Sequence, residues 1–281
     1  MQTVQHPRLP MSQDTKGPTR GRMARLLDDL QARGDLVVSL DDAAEQSTLS
    51  RIAARRQLER LAPRATRLPG RPSAFLIVPP EHRLRGAPPV AAWLDEYFRA
   101  QGLRYYVGLL SAAALHGSSA QAVQVTQVLL RRPRRPVAVG KVHLDFYVKS
   151  KLESTPLTEI PGLPAPLAVS SPEATALDLI AFSHRLGGIE HALEVIQGLG
   201  DAMTGTGMRS ALRSGVPVTV LQRIGYVFEK LKFDSLADIV QRALPRRFPP
   251  ALLQAHGQRA AGPAREPWAI VDNVQLRRSR K

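Results

Sequence analysis

Apolar residues near the start of the chain are spaced as on one face of a helix. Counted from Met23, they fall at i, i+3, i+4 and i+7. We therefore predict a helix that begins at Thr19 and ends at Gly34, because glycine often stops a helix. A short run of strand-forming residues follows at 36–38.

Two more helices follow this strand. The second covers residues 43–46, with Asp41 or Asp42 as the expected N-cap. The third covers residues 49–62, and Pro63 ends it. Its expected buried stripe, at i, i+4, i+7 and i+8, consists of Ala54, Leu58, Leu61 and Ala62.

A hairpin completes the first part of the chain. Strands at 65–68 and 73–78 enclose a Pro/Gly turn at 69–72. This order of elements is typical of a winged helix-turn-helix domain, whose last helix enters the major groove of DNA while the hairpin meets the backbone. The alternative is a small α+β domain whose arginine face is only solvated.

The remaining pattern predicts a larger mixed α/β domain. A linker at 85–89 leads to helices at 90–100 and 107–116. Strands are expected at 123–130, 137–139 and 142–148, helices at 172–184, 189–200, 208–213, 218–231 and 235–244, and a closing strand at 268–274. The predicted fold is thus α+β: a disordered tail (1–18), a winged helix-turn-helix domain (19–86), then a domain (90–281) with a small sheet, several helices and a basic tail (276–281).

Charge and composition limit the classes of partner and site that we expect. The net charge is +15, from 39 basic and 24 acidic residues, and it concentrates in residues 50–71, 128–151 and 277–281. Such clusters suggest a polyanion, most often nucleic acid. The absence of cysteine excludes disulfides, zinc–thiolate sites and cysteine nucleophiles. No apolar run approaches 18 residues and no signal peptide is visible, so we expect a cytoplasmic protein without membrane spans.

Arginines dominate the candidate DNA-contacting residues, since a guanidinium can pair with a guanine edge or a phosphate. These residues are Ser50, Arg51, Arg55, Arg56 and Arg60 of the third helix, Arg67 and Arg71 of the hairpin, and Arg131, Arg132, Arg134 and Arg135 of an exposed loop. For the helix, the alternatives are contact with phosphate only or simple solvation. For the loop, the alternative is an acidic partner surface.

Catalytic patterns are weak. Asp145 with Lys149 or Lys151 has the wrong spacing for a nuclease acid–lysine motif, and no paired acid is evident. The chain has no phosphate-binding glycine loop, H-E-x-x-H or G-x-S-x-G motif, and 205–207 (Gly-Thr-Gly) is interpreted as a turn. We therefore expect neither an enzyme nor a metal or cofactor site.

Two sequence blocks indicate a particular family more specifically than the order of elements does. Residues 105–117, YYVGLLSAAALHG, resemble the block that opens the C-terminal domain of AbiEi family antitoxins. Residues 169–179, VSSPEATALDL, followed by Gly187-Gly188, also resemble that family. The resemblance covers about residues 20–200, and the last 80 residues match only in general character. Tyr105, Tyr106, Ser111 and His116 are candidates for an antitoxin-domain surface, with helix packing as the alternative interpretation.

The resemblance implies a transcriptional repressor of a type IV toxin–antitoxin system, a form of phage defence. Its N-terminal domain would bind inverted repeats in the promoter of its own operon. Its C-terminal domain would neutralise a nucleotidyltransferase-like toxin without requiring a stable complex. The alternatives are an orphan regulator without a toxin, or a nucleic-acid-processing or RNA-binding protein. Because no long apolar seam is visible, we expect monomers that cooperate on double-stranded DNA.

Overall fold

The computed structural model describes residues 21–70, 72–118, 124–255 and 262–274. The predicted N-terminal tail, Arg71 of the hairpin and the basic tail at 276–281 lie outside these residues. Within them the chain forms an α+β fold, as predicted. No helix in the described ranges is both long and apolar enough to span a membrane.

The first part of the chain has the predicted order of elements. They are α1 (Arg22–Arg33), β1 (Val37–Ser39), α2 (Leu40–Gln46), α3 (Arg51–Arg60), β2 (Ala65–Leu68) and β3 (Ala74–Ile77). Gly34 ends α1 in the left-handed conformation, as glycine does readily. The expected cap of α2 is wrong: Ser39 Oγ accepts a hydrogen bond from the Asp42 backbone N–H, and the helix begins at Leu40.

A three-stranded antiparallel sheet, in the order β1-β3-β2, supports the three helices. The core between them contains Met23 and Leu27 of α1, Leu58 of α3, and Phe75 and Ile77 of β3. Burial of this core fixes the orientation of α3. The predicted stripe of α3 is correct for Ala54 and Leu58, but Ala62 is exposed because the helix ends at Arg60.

The second part is larger. Its helices are α4 (Leu94–Arg99), α5 (Leu109–Leu115), α6 (Pro172–Ala181), α7 (Ile189–Gly198), α8 (Gly205–Leu212), α9 (Val218–Leu231) and α10 (Asp234–Ala243). Its strands are β4 (Tyr106–Val107), β5 (Val125–Leu130), β6 (Val137–Val139), β7 (Val142–Val148), β8 (Leu157–Thr158), β9 (Val169–Ser170), β10 (Ala251–Leu252) and β11 (Ile270–Val271). The 205–207 segment opens α8 rather than forming a turn, because the Thr204 side chain caps that helix. The predicted closing strand shortens to β11, which pairs with β10.

Six of these strands form one sheet in the order β6-β7-β5-β4-β9-β8. The β5–β7 and β4–β9 pairs are parallel and the others are antiparallel. Side chains alternate between its faces: Val128 and Leu130 join the core on the side of α4, whereas Leu129 joins the core that contains α6 and α9. Both faces of the central strands are therefore buried.

The segment predicted as a linker is packed against the second part. Ala87 is buried, the Lys141 backbone N–H donates to the Arg85 carbonyl at 2.8 Å, and Gly86 lies against the backbone of Gly140. A Cβ at Gly140 would come within 2.3 Å of the Arg85 carbonyl oxygen. This close approach requires glycine and holds the two parts of the chain together.

The two parts also share hydrogen bonds and a hydrophobic core. Leu68 and Leu76 of the first sheet belong to the same buried cluster as Phe98 of α4. The Glu96 carboxylate accepts hydrogen bonds from the backbone N–H groups of residues 36 and 37, at 3.2 and 3.0 Å, on the free edge of β1. An edge strand is thus closed by a side chain of the second part.

Candidate functional site

Helix α3 presents a basic, partly apolar face to solvent. Its opposite side is fixed by Ala54 and Leu58, which are fully buried. Consequently Arg55 and Arg56 are exposed, and Ile52 lies between them and the start of the helix with 68% of its surface exposed. A large apolar side chain on an exposed arginine-rich helix face has no role in the core of this chain.

Two of the α3 arginines have acidic partners on the surface. Arg51 Nε lies 3.2 Å from Asp41 Oδ1, and Arg55 Nε lies 2.9 Å from Glu59 Oε1. Exposed pairs of this kind contribute about 0.2–1 kcal/mol, so a phosphate can replace the carboxylate at small cost. Arg56 and Arg60 are exposed and form no ion pair with a carboxylate of the described residues.

Ser50 is the N-cap of α3. Its Oγ accepts a hydrogen bond from the Ala53 backbone N–H at 3.3 Å. This explains why α3 begins at Arg51, and it gives the hydroxyl a structural role that the sequence pattern had not assigned. The side chain remains exposed at the N-terminal end of α3.

The hairpin β2–β3 carries Arg67 on its exposed side and is held at its tip. The Pro69 carbonyl accepts hydrogen bonds from the Tyr97 hydroxyl at 2.5 Å and from Arg134 Nη2 at 2.9 Å. Gly70 has a φ of +136°, and a Cβ there would meet Gln101 Oε1 at 2.5 Å. The position of the hairpin relative to the second part is therefore fixed by direct contacts.

The arginine loop between β5 and β6 divides into two kinds of residue. Arg131, Arg132 and Arg135 are exposed, and Arg131 pairs with Glu153 at 3.3 Å. The expectation that the whole run is exposed is wrong for Arg134. Its guanidinium lies 5.2–5.7 Å from the ring centroids of Tyr97, Phe98 and Phe146 and donates to Gln101 Oε1 at 3.0 Å and to the Tyr97 hydroxyl.

The four candidates for an antitoxin-domain surface do not form one. Tyr105, Tyr106 and Ser111 are buried, and His116 is half-buried. The Tyr105 hydroxyl donates to Asp95 at 3.2 Å, Ser111 Oγ donates to the Val125 carbonyl at 3.2 Å, and His116 Nε2 lies 2.8 Å from the Ser170 carbonyl. These side chains are thus packed inside the second part, and their polar groups are hydrogen-bonded to other residues of that part.

A buried polar network lies where the two sequence blocks meet. Asp178 of α6, with 4% of its side chain exposed, accepts a hydrogen bond from the Tyr106 hydroxyl at 2.7 Å. Lys149 Nζ donates to its other oxygen, also at 2.7 Å. Burial raises the pKa of Asp178, and the ammonium of Lys149 and the Tyr106 hydroxyl oppose that rise. Burial also raises the pKa of Tyr106.

This network was not predicted from the spacing of residues in the sequence. That spacing placed Lys149 beside Asp145, but Asp145 lies opposite Gln127 in the β5–β7 pair, whereas the acid that contacts Lys149 is 29 residues further along the chain. The available signal was an aspartate in the apolar stretch 174–180, where a buried charge needs a partner.

Comparisons with known proteins give a family match within the second part and a solved structure of similar fold. The family model described as the AbiEi antitoxin C-terminal domain matches residues 106–230, from β4 into α9. This match confirms the resemblance carried by the blocks at 105–117 and 169–179. The crystal structure of the RV2827C protein from Mycobacterium tuberculosis has a similar fold, with a TM-score of 0.61, 17% sequence identity and 92% of each chain covered. No curated protein matches the chain significantly in sequence.

Proposed function

We propose, from the match of residues 106–230 to the AbiEi antitoxin C-terminal domain, that the chain is an autoregulating antitoxin of a type IV toxin–antitoxin system. The first part is a winged helix-turn-helix domain that binds inverted repeats in its own promoter. The second part neutralises a nucleotidyltransferase-like toxin without a stable complex. The protein acts in the cytoplasm, without catalysis of its own, as monomers that cooperate on DNA.

One observation carries the DNA-binding half of this proposal. Helix α3 follows α2 through a tight turn, buries Ala54 and Leu58, and so presents Arg55 and Arg56 outward. A recognition helix needs such a rigidly held, exposed face in order to reach base edges in the major groove. The hairpin that follows supplies Arg67 at the position of a wing, where phosphate contact is expected.

The position of the arginine loop also supports the proposed binding to DNA. Because Arg134 binds the carbonyl of Pro69 at the tip of the hairpin, the loop lies beside the wing. Its exposed neighbours, Arg132 and Arg135, therefore extend the basic surface that begins on the wing. This placement favours DNA over an acidic protein as the partner of the loop, since a single polyanion can contact both segments.

One contact favours the regulatory function over the nuclease alternative. That alternative pairs Asp145 of β7 with Lys149 or Lys151, and Lys149 contacts Asp178 of α6. Among the described residues, no cluster of three or more His, Asp or Glu side chains is arranged to hold a metal ion.

The test is binding of the purified full chain to the DNA upstream of its own gene. Replacing both Arg55 and Arg56 by alanine should weaken binding at least 30-fold, since each bidentate base contact contributes about 1–3 kcal/mol. For the wild type, contact with about 6 phosphates gives a log–log salt slope near −5. The double variant Arg242→Ala/Arg246→Ala removes the same charge from α10 and the segment after it and should bind like wild type.

Two outcomes contradict this proposal. If the α3 double variant binds as well as wild type, α3 is not the recognition helix. If both double variants weaken binding equally, only the net charge matters. The antitoxin half is tested separately, by growth of cells that express the neighbouring toxin: the α3 double variant should lose repression and still restore growth.

A further inference from the structure

A cavity of about 360 Å³ opens beside the Tyr106–Asp178–Lys149 network. It lies between the end of β7, one side of α6 and the turn that precedes α9. Its apolar wall includes Leu177, Phe182, Pro217 and Val220, and its polar groups include Lys149, Lys151 and Asp178. A concave, mostly apolar site with a few convergent polar groups is the usual form of a small-molecule site, and this volume is near the lower end of the usual range.

The charges at the cavity favour an anion. Asp178 accepts hydrogen bonds from both Tyr106 and Lys149, so its two oxygens already have donors. Lys149 uses one of its three N–H donors on Asp178 and keeps 20% of its side chain exposed at the cavity wall. The two lysines and one aspartate leave a net charge of +1 at the site.

Lys151 supplies the cation at the opening. It is exposed, and no carboxylate of the described residues forms an ion pair with it. Its ammonium lies against the backbone of Gly215, since a Cβ at that glycine would be 2.2 Å from Lys151 Nζ. The side chain therefore extends across the opening from the end of β7 to the turn before α9.

We propose that this cavity binds a small organic anion. Its ring or aliphatic body packs against Leu177, Phe182 and Val220, and its acidic group lies between the ammonium groups of Lys149 and Lys151. The site does not include α3, the hairpin or the arginine loop. The test of ligand binding is therefore independent of the test of binding to DNA.

The probes for this proposal are 1-anilinonaphthalene-8-sulfonate and its uncharged analogue N-phenyl-1-naphthylamine, which differ by the sulfonate. Fluorescence titration of the full chain should show saturable binding of both probes at one site, with the sulfonate probe the tighter. Lys151→Glu reverses the charge at the opening and should weaken the sulfonate probe about tenfold, because Coulomb interactions remain appreciable near a protein surface. The same variant should change binding of the uncharged probe less than twofold.

Lys141→Glu is the matched control, because Lys141 is an exposed lysine at the opposite end of β7. It should leave both probes unchanged. Ala181→Trp fills the cavity and should abolish binding of both. The proposal is overturned if neither probe saturates, if Ala181→Trp with unchanged circular dichroism still binds them, or if Lys151→Glu and Lys141→Glu weaken the sulfonate probe equally.

Discussion

Arg134 and Arg135 are neighbours in the arginine loop with opposite surroundings. The guanidinium of Arg134 donates to the Pro69 carbonyl, the Tyr97 hydroxyl and Gln101, and it lies over three aromatic rings. Arg135 is exposed and makes no ion pair with a described carboxylate. We therefore predict that Arg134→Gln lowers stability, whereas Arg135→Gln lowers affinity for DNA and leaves stability unchanged.

The magnitude follows from the contacts of Arg134. Hydrogen bonds from a charged donor contribute about 1.5–3 kcal/mol each when buried, and a cation over an aromatic ring contributes about 0.5–1 kcal/mol at an exposed site. Arg134 is only half-buried and water can replace part of these contacts, so we expect a loss of about 3 kcal/mol. For a chain of this length, that loss lowers the melting temperature by roughly 5 °C.

Thermal unfolding by circular dichroism and salt-dependent DNA binding measure the two effects. Arg134→Lys is the informative control: it keeps the positive charge and loses the planar fork, so it should lose most of the same stability. Arg135→Gln should shift the melting temperature by less than about 1 °C and reduce the salt slope by about 0.9, the value for one phosphate contact. Equal melting temperatures for Arg134→Gln and Arg135→Gln would refute the argument.

Two further predictions concern side chains elsewhere. All five tyrosines are buried, and burial raises the pKa of each, so the tyrosines of the unfolded chain ionise near pH 10 and those of the folded chain at higher pH. The free energy of unfolding should therefore fall above about pH 10, by about 4 kcal/mol per pH unit from Tyr105, Tyr106 and Tyr226, whose pKa values rise most. Ionisation of all five phenols near pH 10 before ellipticity is lost would contradict this. Ile52 can pack on a thymine methyl group, so Ile52→Ala should weaken binding to promoter DNA about three- to tenfold. The substitution should not weaken binding to promoter DNA amplified with deoxyuridine in place of thymidine, because that DNA lacks the methyl group. An equal loss on both DNAs would exclude that contact.

The elements that local signals specify could be predicted from the sequence. Helix α1 has an apolar face from Met23 and a glycine stop, and α6 has Ser171 as its cap, so the pattern within each segment was sufficient. The start of α2 was missed because three nearby side chains can cap a helix, and Ser39 does so instead of Asp41 or Asp42. Local chemistry could not separate these alternatives.

Contacts between distant segments could not be predicted in the same way. Residues 85–89 have the composition of a linker, and their contacts with Gly140 and Lys141, 50 or more residues away, make them a joint. Arg134 has the same side chain as its neighbours, so nothing in the run distinguishes it from Arg135. Lys149 and Asp178 lie on β7 and α6, and their pairing depends on how the helix packs on the sheet.

The joint between the two parts constrains how the chain would bind DNA in the proposed function. Glu96 closes the edge strand β1, Tyr97 and Arg134 hold the hairpin tip at Pro69, and both parts share one core. A flexible linker would let each basic segment contact phosphates independently, whereas these contacts fix the distance between the hairpin β2–β3 and the arginine loop. One chain therefore presents its arginines in a single register, and an inverted repeat requires a second copy. Changes that loosen the joint without removing exposed charge, such as Arg134→Lys, should weaken specific binding more than nonspecific binding, because only specific binding depends on that register.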